Sequence, residues 1–312
     1  MDVRQLSALV AIADHGTFSA AARALYTVQS NVSGHISKLE KELGVSLVDR
    51  AQGGMTEEGA RVVERARRIL NEIDDITADI ASLDDEVSGD ARIGVIGTTA
   101  RWLMPQLLGA VDRAHPRVHT IIHEGSTSTL IPNVLSGQLN ASIVHLPVDD
   151  PELVIEPLFA EDLLLLCHSR HSLSGRDTMS LTELHGVPLL LPPKGAALRR
   201  VLDRAASTVG VTLRPQAEID GVRLLASLAF DGYGAAIVPA TAVPRWLKGD
   251  FHRISVPELP QRVVAWARRR RPAPSAATQA VAACLREVVE ARAAKQPGVH
   301  LGSDAFPLGR PV

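Results

Sequence analysis

Apolar positions near the start of the chain recur at helical spacing. Val3, Leu6, Leu9, Val10 and Ala13 predict a first helix, stopped at Asp14-His15-Gly16. Ser19 is placed to cap a short second helix, Ala20 to Leu25, whose alanines let another helix approach closely. A third helix follows Tyr26-Thr27. In it Val32, Ile36, Leu39 and Leu43 share one face, and Gly44 ends the run. Two helices joined by a tight turn, with a third behind them, make a helix-turn-helix; on spacing alone, a small three-helix bundle without a DNA role fits as well.

From Val62 the apolar residues Val62, Ala66, Ile69, Ile73, Ile76, Ile80, Leu83 and Val87 alternate steps of four and three. Such a seam is narrower than a core-facing helix needs, and its β-branched isoleucines suit a helix paired with its own copy. The alternative is a helix lying on its own domain. Acidic residues crowd the second half (Glu72, Asp74, Asp75, Asp79, Asp84, Asp85, Glu86), and Ser88-Gly89-Asp90 reads as a break before a new domain near Ala91.

Beyond it, short apolar runs alternate with helical segments. Arg92 to Gly97, Val118 to His123 and Ala141 to Leu146 read as strands, with helices over Leu103 to Ala114 and Leu130 to Ser136. A second set has strands at Leu163 to Cys167, Val187 to Leu191, Gln216 to Ile219 and Ala235 to Val238, and helices over Ala196 to Val209 and Val222 to Phe230. This is an α/β pattern with a mainly parallel sheet, in two lobes. Residues from about Lys295 read as a loose tail.

Composition narrows the class. With 312 residues, 46% apolar and 22% charged, the chain can build two or three globular domains. No signal peptide and no long uncharged apolar window stand out, so a cytoplasmic protein with no membrane segment is expected. Cys167 and Cys284 lie in no CxxC or His-rich spacing; a redox switch at Cys167 stays open as an alternative, but LLLLCHS places it on an apolar strand where a thiol is usually inert. Gly94 and Gly97 do not make a dinucleotide fingerprint, and the pairs in HTIIH and HSRH lack metal-ligating partners. Arg268 to Arg271 read as a solvated basic loop, with nucleic-acid contact the lesser alternative. No catalytic set, metal site or cofactor is expected.

The order of these segments resembles the LysR-type transcriptional regulators. The resemblance runs to about Val289: a winged helix-turn-helix in GTFSAAARALYTVQSNVSGHISKLEKELGVSLVDR, TEEG opening a linker helix, then HEGSTSTLIPNVLSGQLNASIV, EPLFAEDLLLLCHSRHSL and LLASLAFDGYGAAIVP. It implies a winged helix-turn-helix DNA-binding domain over 1–58 and a linker and dimerisation helix over 59–89. An effector domain like type 2 periplasmic binding proteins follows over 90–294, with lobe 1 about 90–160 and 264–294, lobe 2 about 161–263, and a flexible tail over 295–312. Three departures stand out. Val28-Gln29-Ser30 replaces the usual Ser-Gln-Pro, which shifts capping to Thr27; the wing from Arg50 to Thr56 is about two residues short; and Gly34 stands where relatives often carry arginine.

On the third helix, Ser30, Gly34, Ser37 and Lys41 point away from Val32, flanked by Ser33 and Lys38. Gln29 suits an adenine edge, Ser30, Ser33 and Ser37 suit bases or phosphates, Lys38 suits phosphate, and Arg50 resembles a family phosphate contact. Residues 1–60 hold five Lys/Arg against seven Asp/Glu. One domain alone should therefore bind weakly, and a homodimer or homotetramer on double-stranded DNA is expected.

In the effector domain, Gly97-Thr98-Thr99 and Gly125-Ser126-Thr127-Ser128 stand at strand-to-helix junctions, where helix N-termini favour anions. Thr98, Thr99, Ser126 and Ser128 are candidate contacts to a small anionic metabolite, with Arg101 or Lys194 as counter-charges; Asp220 argues mildly against an anion. The reading is a ligand-responsive transcription regulator, with RNA polymerase a further candidate partner. The alternative is a cytoplasmic small-molecule binding protein with a helical oligomerisation module.

Overall fold

The computed structural model describes residues 1–49, 54–81 and 87–302. At the N-terminus, α1 (Val3–His15) begins at Asp2 and Gln5, which cap each other, and ends at Gly16 in the left-handed region. Thr17, not Ser19, caps α2 (Phe18–Ala24): its Oγ1 accepts from the Ala20 amide at 3.1 Å. Ser19 sits inside the first turn and donates to Gln29 Oε1 at 2.8 Å. In α3 (Gln29–Leu43), Val32, Ile36 and Leu39 are buried and Gly44 ends the helix. Thr27 does not take over its capping. The N-cap position is Val28, without a side-chain bond, and Thr27 Oγ1 instead accepts from Asn31 Nδ2 at 3.0 Å.

The segment TEEG has a mechanical explanation. Thr56 Oγ1 accepts from the Gly59 amide at 2.9 Å and donates to the Ser46 carbonyl at 2.8 Å, fixing the start of α4 (Glu57–Ala81). A Cβ on Gly59 would stand 1.9 Å from the Leu47 carbonyl oxygen, so only glycine lets α4 cross there.

The predicted seam divides along α4. Val63 and Ala66 are buried, Val63 within the helix-turn-helix core, so the first turns of the linker belong to that domain. Ile69, Ile73, Ile76 and Ile80 remain exposed in the single chain. Leu83 lies outside the described residues, and Val87 packs against the effector-domain core. Farther along, Arg67 pairs with Asp14, and Asn71 donates to the Gly137 carbonyl, which ties α4 to the effector domain.

Ser88-Gly89-Asp90 is not a break: it opens β1 (Ser88–Ile96), paired in parallel with β2 (Arg117–Gly125) from Ser88 onward. Between them runs α5 (Gly97–Ala114), and α6 (Thr127–Leu135) leads to β3 (Ala141–His145). The chain then crosses to lobe 2 along β4 (Leu153–Glu161). Lobe 2 holds β5 (Leu163–His168), β6 (Pro188–Leu191), α7 (Ala197–Thr208), β7 (Arg214–Glu218), α8 (Val222–Phe230), β8 (Ala235–Pro239) and β9 (Phe251–Ser255). It returns along β10 (Arg262–Arg269) into α9 (Ala276–Ala293) and β11 (Val299–His300).

Both sheets are mixed rather than mainly parallel. Their strand orders are β11-β4-β10-β3-β1-β2 and β7-β6-β8-β5-β9. Strands that carry the chain between lobes enter each sheet in the opposite sense: β10 is antiparallel to β3 and β4, and β5 to β8 and β9. Each sheet is covered by its own apolar cluster, with Trp102, Phe159 and Trp266 in lobe 1 and a leucine-rich set in lobe 2. Residues just past α9 are not loose: β11 pairs with β4, and the buried Gln296 donates to the Ala240 and Val243 carbonyls, both at 3.2 Å.

Candidate DNA interface and effector cleft

Burying Val32, Ile36 and Leu39 turns the opposite face of α3 outward. Gln29, Ser30, Gly34, Ser37 and Lys38 are exposed and Ser33 is partly exposed, so the structure brings six of the seven predicted DNA contacts onto one surface. The seventh, Arg50, lies outside the described residues. A groove beside this face is lined by Thr17, Ser19, Gln29, Ser33 and Asp49. A Cβ on Gly34 would meet nothing within 4 Å, so the gap opens to solvent and is no packing requirement. Sequence reasoning missed Tyr26. It is 98% exposed in the helix-turn-helix turn with φ +52°, a region costly for a side chain, so an aromatic ring is displayed at a strained position beside the DNA face.

The second site is a cleft of about 770 Å³ between the lobes. Lobe 1 contributes Thr98 at the start of α5 and Ser126 to Thr129 at the start of α6. Ser126 caps α6, accepting from the Thr129 amide at 3.3 Å, and its Oγ lies 2.9 Å from Ser128 Oγ. Lobe 2 contributes Pro192, Pro193, Leu198, Asp220 and Val222. Of the predicted contacts, Thr98, Ser126 and Ser128 line this cleft.

The other three do not. Thr99 is fully buried beside the cleft, its Oγ1 without a hydrogen bond among the described residues. Arg101 lies one turn farther along α5, in a separate depression, its guanidinium 5.3 Å from the Trp246 ring centroid. Lys194 is exposed on the loop between two lining residues, Pro193 and Ala196, and is not itself among the residues lining the cleft.

Instead the cation at the cleft floor is Arg262, at the start of β10. Its Nε donates to Glu161 Oε1 at 2.9 Å and its Nη2 to Thr98 Oγ1 at 3.0 Å. Glu161 is wholly buried at the end of β4 and also accepts from the Thr241 amide at 2.9 Å. At the mouth, Arg223 of lobe 2 pairs with Glu124 of lobe 1.

Residues 3–60 match the family described as bacterial regulatory helix-turn-helix protein, lysR family, and residues 84–290 match the LysR substrate binding domain. The chain belongs to the LysR family. A probable hydrogen peroxide-inducible genes activator of Streptomyces viridosporus is 33% identical to it over 297 residues, 91% of this chain and 93% of that protein. A full-length OxyR variant from Pseudomonas aeruginosa superposes with TM-score 0.74 at 22% identity, covering 97% of this chain and 99% of that one. Full-length CbnR complexed with its target DNA superposes with TM-score 0.68 at 24% identity, covering 94% and 100%. These two share the fold. As a LysR-family protein the chain is a ligand-responsive, DNA-binding transcriptional regulator.

In this LysR effector domain, the end of β3 supplies a further lining residue, His145. Burial first, then the nearby charges of Arg262 and Arg200, push its pKa down to about 4. Because the folded value lies below the unfolded one, the unfolded chain binds the extra proton, and stability is lost as pH falls from about 6.5 to about 4. His145→Gln is expected to remove up to about 3 kcal/mol of that pH dependence, read from urea unfolding at pH 7 and pH 4.5. Equal slopes in both proteins would contradict a neutral, buried imidazole.

Proposed function

We propose that this regulator acts in the cytoplasm as a homodimer or homotetramer joined along α4. Its paired α3 helices read the half-sites of an inverted repeat, and its hold on DNA changes when a small metabolite with a carboxylate fills the interlobe cleft. The observation that carries this reading is the cleft itself: a ligand-sized cavity where the N-terminus of α6, the hydroxyls of Ser126 and Ser128, and the partly buried Arg262 converge. No cofactor and no catalytic step belong to it, and RNA polymerase is a further partner in transcription control.

The peroxide response named for relatives does not transfer through thiol chemistry. Cys167 and Cys284 are the chain's two cysteines. Both are buried, and burial raises both thiol pKa values. Reactive cysteines need accessible thiolate, so a bound metabolite rather than an oxidised sulfur fits as the signal.

The deciding experiment is a mobility shift of the full chain on DNA upstream of its own gene and of a divergent neighbour. A salt-sensitive complex protecting an inverted repeat is expected. No specific protection would favour a small-molecule binding protein whose helices serve only oligomerisation. In the same assay Gly34→Arg is expected to tighten binding and steepen the salt dependence by about one released ion per half-site, since the new side chain projects from the reading face into open space. The helix also gains up to about 1 kcal/mol over glycine. Loss of binding would mean that the backbone at Gly34 approaches the DNA too closely for any side chain.

A further inference from the structure

We propose that the effector is a zwitterion of the α-amino acid class. Its carboxylate sits at the α6 N-terminus beside Thr98 and Arg262, and its ammonium is held by Asp220. The proposal rests on the interlobe cleft being the effector site and adds the ligand's second charge.

Charge is the first argument. The cleft lining carries two cations, Arg223 and Arg262, and two carboxylates, Glu124 and Asp220. Arg223 and Glu124 neutralise one another. Arg262 is backed by the buried carboxylate of Glu161, so it offers directed N–H donors more than a free positive field. His145, with its pKa near 4, adds no charge at neutral pH. The basic residues that would have made the cleft cationic, Arg101 and Lys194, are not among those lining it. A ligand carrying only negative charge would gain little here.

Asp220 is the second. It makes no hydrogen bond or ion pair among the described residues, and it does not cap α8, whose N-cap is Gly221 without a side-chain bond. Asp220 is exposed where it lines the cleft, and an unneutralised carboxylate there favours a cation. It stands on lobe 2, whereas Thr98, Ser126 and Ser128 stand on lobe 1. A ligand with both charges therefore bonds to both lobes at once, and differential contact of that kind can shift a two-lobed domain toward closure.

Shape supplies the third argument. Pro192, Pro193, Leu198 and Val222 form an apolar wall on lobe 2, and about 770 Å³ leaves room for a side chain against it.

The test is isothermal titration of the full-length protein with the twenty common L-amino acids, followed by the N-acetyl, C-terminal amide and 2-keto analogues of the best binder. One or a few amino acids with apolar or long aliphatic side chains should bind, each analogue at least tenfold more weakly. Asp220→Asn should weaken the parent amino acid at least tenfold and leave the N-acetyl form unchanged. Equal binding of the N-acetyl or keto analogue, an unaffected Asp220→Asn variant, or no amino acid binding at all would overturn the zwitterion. A parallel titration with pyruvate, succinate and benzoate separates the two failures. If one of these carboxylates binds and Ser128→Ala with Thr98→Val abolishes it, the cleft remains an effector site for an anion. If those substitutions leave every observed ligand untouched, the cleft reading falls as well.

Discussion

Ile76→Asp combined with Ile80→Asp is expected to leave a folded monomer that no longer holds its operator. These side chains are 58% and 63% exposed in the single chain, so replacing them removes nothing from a monomer core. They continue a stripe from Ile69 and Ile73 on a helix whose first turns are already fixed by Val62 and Val63 in the helix-turn-helix domain. In a two-fold pair the substitutions would bring four carboxylates into an apolar seam, where removing charge from water costs several kcal/mol per group. DNA binding should fall with the dimer. Residues 1–60 carry more acidic than basic side chains, so each domain gains little from phosphates alone, and linkage of two domains supplies about 10²- to 10⁴-fold. Light scattering should report one chain, and fluorescence anisotropy should show affinity at least a hundredfold weaker, with unchanged far-UV circular dichroism. A variant that stays dimeric would place the assembly contact elsewhere.

What was legible in the sequence was whatever neighbouring residues decide. Val32, Ile36 and Leu39 are buried at their predicted spacing, Gly16 and Gly44 end their helices, and α8 runs over the predicted Val222–Phe230. Local competition misled at the caps: Thr17 and Ser19 can both accept from a nearby amide, and only the path of α2 selects Thr17. Long-range pairing was invisible. β4 contains Pro157 and lacks clean alternation, and it becomes a strand because β10, more than a hundred residues later, lies alongside it. Arg262 was missed for the same reason, since it sits in an ordinary apolar strand pattern and its partner Glu161 is 101 residues away. The α4 seam was read as one continuous surface, although Val62 packs on the N-terminal core and Ile76 faces solvent, because the repeat cannot say where one partner gives way to another. Candidate cleft residues were found where helix starts announce themselves by Ser and Thr. Asp220 was visible at its strand-to-helix junction, but the cation Arg262 was not, because it comes from a strand that joins the cleft only through the fold.

Arg262→Ala is expected to destabilise the effector domain by about 3–5 kcal/mol, the usual consequence of leaving a buried charge without its partner. Glu161 is 0% exposed and would keep only the Thr241 amide as a donor. Urea unfolding at pH 7 should show the loss. Glu161→Gln combined with Arg262→Met should recover most of the stability, since two neutral groups of similar size can replace a buried ion pair at little cost. Function separates these variants from one another. Glu161 ends the strand that leaves lobe 1, Arg262 begins the strand that returns, and Arg262 also holds Thr98 at the cleft edge, so the pair fixes the hinge and a ligand contact together. The double variant should therefore fold well and bind effector poorly. Arg262→Lys keeps the charge but not the fork that reaches Glu161 and Thr98 simultaneously, and should show a smaller stability loss with a similar loss of effector binding. If the stable double variant bound effector as tightly as the native protein, Arg262 would be a strut of the hinge and no part of the cleft's chemistry.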